Sequence, residues 1–316
     1  MAIVKRIKDA GVRVAVLCGG PGGEREVSLA SGGNVHQALL RAGLDNEMIV
    51  VPQDDPEGFL ERVDCGLAVM MLHGEFGEDG TAQAILERRG IAYTGSGPEA
   101  CALAMDKDRA KRVFVKQGIP TPKWVVAEKA RQAISMVERA GLRYPLFAKP
   151  NDGGSSVGTH KVLDASSLES AAEQVVADGD AVLIEEMVVG RELTIGWLEG
   201  RTLPVIELQA DGDFYDYRAK YISEETRYVC PAPLAEGLAR EIADYASRTA
   251  ECLGVRDLSR IDVMLGPDGP KVLELNALPG FTLHSLLPMA AGVAGIGLEE
   301  LCVELAAMAA RRAGII

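Results

Sequence analysis

The first third of the chain alternates short apolar runs with segments of helical period. "VRVAVLCGG" (12–20) is apolar throughout and ends in glycines, the pattern of a strand buried on both faces. "EVSLASGGNVHQALLRAG" (26–43) returns apolar residues every three or four positions before Gly43, which predicts an amphipathic helix. Strands over 47–51 and 65–74, a helix over 81–90 and a short strand at "IAYTG" continue the alternation. Strand and helix alternating through short links predict a parallel, doubly wound sheet. Sites in such sheets form beyond the carboxyl ends of the strands, where "GGPGGERE" (19–26) and "HGEFGEDG" (73–80) fall.

From about residue 98 the texture changes. Helical periodicity over 98–118 leads past Pro120 and Pro122 to a strand "KWVVA", a helix near 128–140 and a strand "YPLFAKP" (144–150). A Gly/Ser loop "NDGGSSVGTHKV" follows, then a helix around 166–178 and a strand "AVLIEEMV" (181–188), together a small α+β unit. The last portion carries strands "RELTIGWLEG" and "RTLPVIELQ", a long loop over 210–234, a helix over 235–254, two apolar runs around Gly266-Pro267-Asp268-Gly269, and a terminal helix over about 297–313. A loop of that length inside a compact domain points to a functional lid. No internal repeat or low-complexity segment interrupts the chain.

Composition narrows the classes. A chain of 316 residues predicts two or three domains. Its 47% hydrophobic content is mostly aliphatic, with only 5% aromatic, which suits helix-on-sheet layers better than a sandwich. The net charge of -13 argues against a nucleic-acid or anionic-membrane surface, so any phosphate site must be locally basic or metal-assisted. Six cysteines at 18, 65, 101, 230, 252 and 302 show no Cys-x-x-Cys spacing, and read as reduced thiols. "MAIVKRIKDAG" lacks the apolar core of a signal peptide and no apolar run approaches the length of a membrane span, so a cytoplasmic location is expected.

Several short motifs carry candidate chemistry. "GGPGGERE" lacks the Gly-x-Gly-x-x-Gly spacing of a dinucleotide fingerprint, leaving a turn that either delivers Glu24 into a cleft or exposes it to water. Lys149 ends an apolar strand five residues before "GSSVG", so a fixed cation lies beside a loop rich in backbone donors, which suits phosphates. "VLIEEMVVGRE" ends a buried strand in Glu185 and Glu186; such carboxylates either accept from a nucleotide's amino group and ribose hydroxyls or face an interdomain surface. "DFYDYRAKYISEET" (213–226) crowds three tyrosines and two cations into the long loop, which favours a water-excluding lid over a disordered surface segment.

The hairpin "IDVMLGPDGPKVLELN" (261–276) poses a sharper question. Glu274 and Asn276 are two apart and share a face. A three-residue loop Pro267-Asp268-Gly269, with the glycine left-handed, predicts Asp262 directly across from Glu274. Two carboxylates at that distance repel unless a cation lies between them, and magnesium takes about this many protein ligands. A solvated face of the hairpin explains the same residues.

Taken in order, "GEREVSLASG", "HGEFGEDGT", "YTGSG", "MDK", "KP" followed by "GSSVG", "FYDYRAKY", "RIDVML" and "LPGFTLHSLLP" resemble the ATP-grasp superfamily, and within it the D-alanine:D-alanine ligases, from about residue 12 to 313. The resemblance implies an α/β (α+β) chain in a three-domain ATP-grasp arrangement, with boundaries at 1–97, 98–188 and 189–316. It implies that Lys107 and Lys149 touch the nucleotide phosphates, and that Glu185, the backbone near Met187 and Val188, and Glu192 hold adenine and ribose. Asp262, Glu274 and Asn276 would bind two magnesium or manganese ions. Glu24, Ser155 and Tyr221 would position the first substrate and clamp the lid. His73 would line the same subsite, and Ser285 with Leu286 the second. Lys220 and Arg260 would neutralise charge, with the Gly280 N–H completing an oxyanion hole.

The implied reaction joins two D-alanines at the expense of ATP through an acyl phosphate, for a peptidoglycan precursor. A D-alanine–D-lactate or mixed-specificity ligase is the alternative, and Tyr221 favours the dipeptide. The resemblance further implies a homodimer, with potassium as a candidate activator and no nucleic-acid or membrane partner. Two departures stand out: Ala277 follows the metal-binding asparagine where threonine is common, and "GGPGGE" replaces a serine-containing turn.

Overall fold

A computed structural model describes residues 2–154, 158–177, 179, 181–209 and 226–316. Its strands form three sheets. The first contains β1 (Val14–Gly19), β2 (Glu47–Val51), β3 (Leu67–Met70) and β4 (Ala92–Tyr93), all parallel, in the order β2-β1-β3-β4. Both faces of this sheet are covered, which is why β1 is apolar at every position. Val14, Val16 and Cys18 point into a core shared with helices Ala2–Asp9, Arg25–Arg41 and Leu298–Arg312, while Ala15 and Leu17 pack with Leu60, Ile85 and Leu86 of the helices on the other side. Helix Arg25–Arg41 lies so close to β1 that a β-carbon on Gly32 would fall 2.5 Å from that of Cys18. The chain leaves β1 toward β2 on one side and β3 on the other, so the loops after β1 and β3 flank the crevice where an open α/β sheet binds its ligand.

The second sheet is antiparallel: β5 (Trp124–Ala127), β6 (Leu146–Pro150), β7 (His160–Val162) and β8 (Val182–Glu186), in the order β5-β8-β6-β7. Strand alternation divides its residues. Ala127, Leu146, Ala148, Val162, Val182 and Ile184 join a core with helices Ala133–Ala140 and Ala165–Ala177, leaving Trp124, Phe147, Lys149 and Glu185 on the opposite face.

The third sheet contains β9 (Arg191–Leu198), β10 (Arg201–Thr202), β11 (Ile206–Gln209), β12 (Arg227–Val229), β13 (Leu258–Gly266) and β14 (Gly269–Asn276). The order is β12-β11-β9-β13-β14, with β10 on β9. Leu193, Ile195, Ile261, Val263, Val272 and Leu275 pack on helices Pro98–Met105, Lys107–Lys116 and Glu236–Leu253. The other face carries Glu192, Thr194, Arg260 and Asp262. The terminal helix Leu298–Arg312 returns to the first sheet, where Arg312 donates to Asp257 Oδ1 (2.6 Å) and the Tyr93 carbonyl (2.6 Å). No single helix among the described residues is long and apolar enough to cross a membrane.

Four local expectations change. The helical stretch 98–118 is two helices broken at Asp106, whose carboxylate caps the second by accepting from Arg109 N at 3.0 Å. "RTLPVIELQ" is two strands rather than one. The loop 210–234 contains a strand, β12, and its residues 210–225 lie outside the described residues. Helices Ala2–Asp9 and Leu286–Val293 were not expected; Pro288 lies in the first turn of the latter, where a missing N–H costs no intrahelical bond.

Candidate active site

The 261–276 hairpin places Asp262 opposite Glu274 and Arg260 opposite Asn276. The cause differs from the one expected. Gly266 pairs with Gly269, so the turn is the two residues Pro267 and Asp268, and that register continued would put Leu273 across from Asp262. A bulge between the Val263–Val272 and Asp262–Glu274 pairs admits Leu273 as an extra residue and advances Glu274 by one position. Val272 and Leu275 stay in the core on one face while Glu274 and Asn276 reach the cleft on the other.

That cleft encloses about 930 Å³, part of it open to solvent, and joins all three sheets. The loop after β1 brings Glu24, the loop after β3 brings Glu78, and the region before β7 brings Gly153 and Gly154. Lys107 enters from the start of its helix, Arg260, Glu274 and Asn276 from the hairpin, and Gly280, Ser285 and Leu286 from the segment beyond it. The Glu24 carboxylate lies between two glycine loops: a β-carbon would stand 2.6 Å from its Oε2 at Gly74 and 3.4 Å at Gly154.

Electrostatics divide the cleft into two ends. At one, Arg260 grips Asp262 with both Nε–Oδ1 (2.9 Å) and Nη2–Oδ2 (2.8 Å), and Thr194 Oγ1 donates to Asp262 Oδ1 at 2.6 Å. Asn276, with its amide turned to satisfy both neighbours, accepts from Arg260 Nη2 and donates to Glu78 Oε1, each at 3.0 Å. Glu78 also accepts from Gly74 N at 2.8 Å. Burial and then the nearby Glu24 carboxylate push the Glu78 carboxyl well above its ordinary value. Behind them His73 is buried, with Nε2 3.2 Å from Ser31 Oγ, and Ser31 Oγ accepts from Phe281 N at 3.0 Å. A β-carbon on Gly280 would meet Ser285 Oγ at 3.0 Å, Ser31 Oγ at 3.7 Å and His73 Nε2 at 3.9 Å, so the Gly280 backbone runs among these three. Ser285 Oγ accepts from Thr282 N at 2.8 Å at the start of helix Leu286–Val293.

The other end is cationic. Lys107 Nζ donates to the Gly153 carbonyl at 2.6 Å, and burial lowers its pKa. Glu185 is 3% exposed, with Oε1 2.6 Å from Lys149 Nζ and Oε2 2.8 Å from Lys111 Nζ. Burial alone would raise its carboxyl, yet Lys111 and Lys149 hold it down at about 2. Burial lowers Lys149 in turn, but Glu185 and Glu274 outweigh it and leave the ammonium more firmly charged than usual. Any bond from Glu185 to a nucleotide must therefore use the lone pairs its lysines leave over. Met187 N donates to the Pro145 carbonyl at 3.4 Å, Val188 packs near Gly266, and Glu192 lies on β9 two residues before Thr194, on the same face. Ser155, Lys220 and Tyr221 lie outside the described residues.

The hairpin's donor set fits a hard divalent ion. No group of three or more His, Cys, Asp or Glu side chains among the described residues converges on one point. Two carboxylates and an amide are instead the small all-oxygen set that magnesium takes when substrate phosphates complete its shell. Asp262 shares its oxygens with Arg260 and Thr194 and retains further lone pairs.

His73 gives a separable expectation. Burial lowers its pKa from 6.5 to about 4, against the Leu278 backbone and assisted by Arg260. The unfolded chain therefore takes up this proton first, and stability is lost as pH falls from about 6.5 to about 4. Replacing His73 with Gln is expected to remove about 3 kcal/mol of that acid destabilisation. Urea unfolding of both proteins at pH 7 and pH 4 measures the difference; parallel losses would refute it.

Residues 113–307 match the family described as D-ala D-ala ligase C-terminus. The D-alanine–D-alanine ligase of Bordetella petrii is 44% identical over 306 residues, covering 94% of this chain and 92% of that protein. The chain belongs to the D-alanine–D-alanine ligase family. The enzyme of that name from Aromatoleum aromaticum is 45% identical over 294 residues, 93% of this chain and 94% of its own length. Among solved structures, the Bacillus anthracis ligase complexed with ATP superimposes with a TM-score of 0.84 at 31% identity, covering 96% of this chain and 98% of that one. The VanG D-Ala:D-Ser ligase of Enterococcus faecalis gives 0.82 at 28% identity, over 94% and 99%. The three-sheet architecture is thus that of the ATP-grasp ligases in this family.

Glu78, Thr194 and Lys111 are among the site residues not singled out in the sequence. Glu78 sits within "HGEFGEDG", in a loop already marked by its place after β3. Thr194 could have been found by pairing β9 against the hairpin, which sets it beside Asp262. Lys111 carries no such signal: a lysine on a charged amphipathic helix reads as solvated.

Proposed function

We propose that the protein ligates two D-alanines to D-alanyl-D-alanine, consuming ATP through an acyl phosphate, to supply a peptidoglycan precursor in the cytoplasm. The observation that carries this reading is one cleft joining the buried Lys107, with Lys149 close enough to act on it, to a hairpin bearing Arg260, Glu274 and Asn276. The first step brings a carboxylate to a polyphosphate, so charge neutralisation dominates the barrier. Lys107 and Lys149 bind the phosphates. Asp262, Glu274 and Asn276 hold two magnesium or manganese ions, which when bound supply the remaining neutralisation. Glu24 takes the ammonium of the first D-alanine, in the subsite backed by His73. Arg260 and the Gly280 N–H stabilise the oxyanion formed when the second amine attacks the acyl phosphate. Ser285 and Leu286 bound the second subsite, and Glu185, Met187, Val188 and Glu192 the nucleoside. Ser155, Lys220 and Tyr221 are assigned their lid and substrate contacts on the family pattern alone.

The reading also includes three units, 1–97, 98–188 and 189–316, a homodimer, and potassium as an activator. ADP release is the test. D-alanine alone with ATP and magnesium is expected to give ADP and D-alanyl-D-alanine in equal amounts, and added D-lactate is expected to leave the product unchanged. Absence of dipeptide from D-alanine alone would overturn the assignment, and a depsipeptide would replace it with the D-lactate specificity.

A further inference from the structure

Lys111 is the most thoroughly buried charge among the described residues, with its side chain 1% exposed. Its ammonium is fully provided for: Glu185 Oε2 lies 2.8 Å away, Thr121 Oγ1 accepts at 2.8 Å, the Pro122 carbonyl stands at 3.5 Å, and the Trp124 ring centroid lies 5.4 Å off. Trp124 is itself pinned by a 2.8 Å bond to Asp108 and faces Glu185 across the β5–β8 pair. Lys111 therefore cannot swing into the cleft. Burying a lysine this way is costly, and an apolar residue of like volume would serve packing at least as well. The residue must earn its place through Glu185.

The local charge count explains how. Glu185 is shared by two lysines, so the trio of Lys111, Glu185 and Lys149 carries one net positive charge, which Glu274 faces from the hairpin. That charge is expressed at Lys149, whose side chain is 11% exposed and is the more accessible of the two. Without Lys111 the carboxylate would belong to Lys149 alone, and an incoming anion would have to compete with a short, low-dielectric ion pair.

We propose that Lys111 is a positioning residue that holds one oxygen of the Glu185 carboxylate and so leaves Lys149 available to the phosphates of the nucleotide. The inference rests on the reading that this cleft takes ATP. It predicts that Lys111→Met weakens ATP binding by about tenfold, equivalent to the loss of one modest charge contact. Binding of adenosine, which has no phosphate, is expected to stay within about twofold, because the nucleoside wall is intact.

The decisive comparison adds a second change. Lys111→Met with Glu185→Gln removes one charge of each sign; because Glu185 also bounds the nucleoside, the recovery is read in the ratio of ATP to adenosine affinity, which is expected to return most of the way to the wild-type ratio. Equilibrium binding of ATP and of adenosine to the full chain reads all of this without turnover. A wild-type protein that binds ATP but makes no dipeptide would defeat the ligase reading and leave this one standing. Equal losses for ATP and adenosine, or a double variant whose ATP-to-adenosine affinity ratio is no better than that of Lys111→Met, would overturn the proposal and reduce Lys111 to a structural anchor. Should Lys111→Met not fold, Lys111→Gln, which keeps a bond to Thr121, takes its place in the same comparison.

Discussion

Replacing Glu274 with Gln is expected to lower kcat for ADP release by about three orders of magnitude while moving the melting temperature only slightly. The substitution keeps shape and removes charge. Glu274 stands on the cleft face of β14, and its neighbours Val272 and Leu275 make the core contacts, so the fold loses little. The reaction loses a great deal, because the carboxylate is one of the two anionic donors opposite each other on the hairpin, the strongest carboxylate influence on Lys107 and the second, after Glu185, on Lys149. Paired assays of ADP release and thermal unfolding on one preparation check both halves. Near-normal turnover would remove the basis for the ion-binding assignment.

Replacing Arg260 with Met is expected to reduce kcat/KM by about 10² to 10³, the usual loss for one donor to a developing oxyanion. Two structural facts enlarge the effect. The guanidinium holds Asp262 through two parallel bonds and also donates to Asn276, so its removal releases both partners at once. Arg260→Lys is expected to recover less than about a tenth of the loss, since an ammonium cannot reproduce a planar two-point grip. Steady-state kinetics on both variants suffice, and an Arg260→Lys protein close to wild type would show that charge alone is required.

Much of this was readable in one dimension. The doubly covered first sheet announced itself through β1, whose unbroken apolar run follows from having helices on both sides. The Asp262–Glu274 opposition was also expected, but through the wrong device. Sequence offered a loop length and a left-handed glycine; Gly269 does take a positive φ of 103°, but the register is set by Leu273, and a bulge in a strand interior leaves no compositional mark. Lys111 and Glu78 were hidden because burial is a property of the assembled sheets, and charged residues look solvated until a second element closes over them. Helix Leu286–Val293 was masked by Pro288, which reads as a break unless its place in the first turn is known. The return of helix Leu298–Arg312 to the first sheet depends on contacts more than two hundred residues apart, such as Arg312 with Tyr93.

The site of that extra residue separates two things that a simple ribbon would link. In a regular hairpin, lengthening the tip by one residue would turn every side chain downstream to the opposite surface. Here the step that aligns the acidic pair sits several residues away from the Pro267–Asp268 apex, beyond the Val263–Val272 rung. An engineer could therefore graft a short peptide at the apex and leave the Asp262–Glu274 edge in place, provided Leu273 is kept.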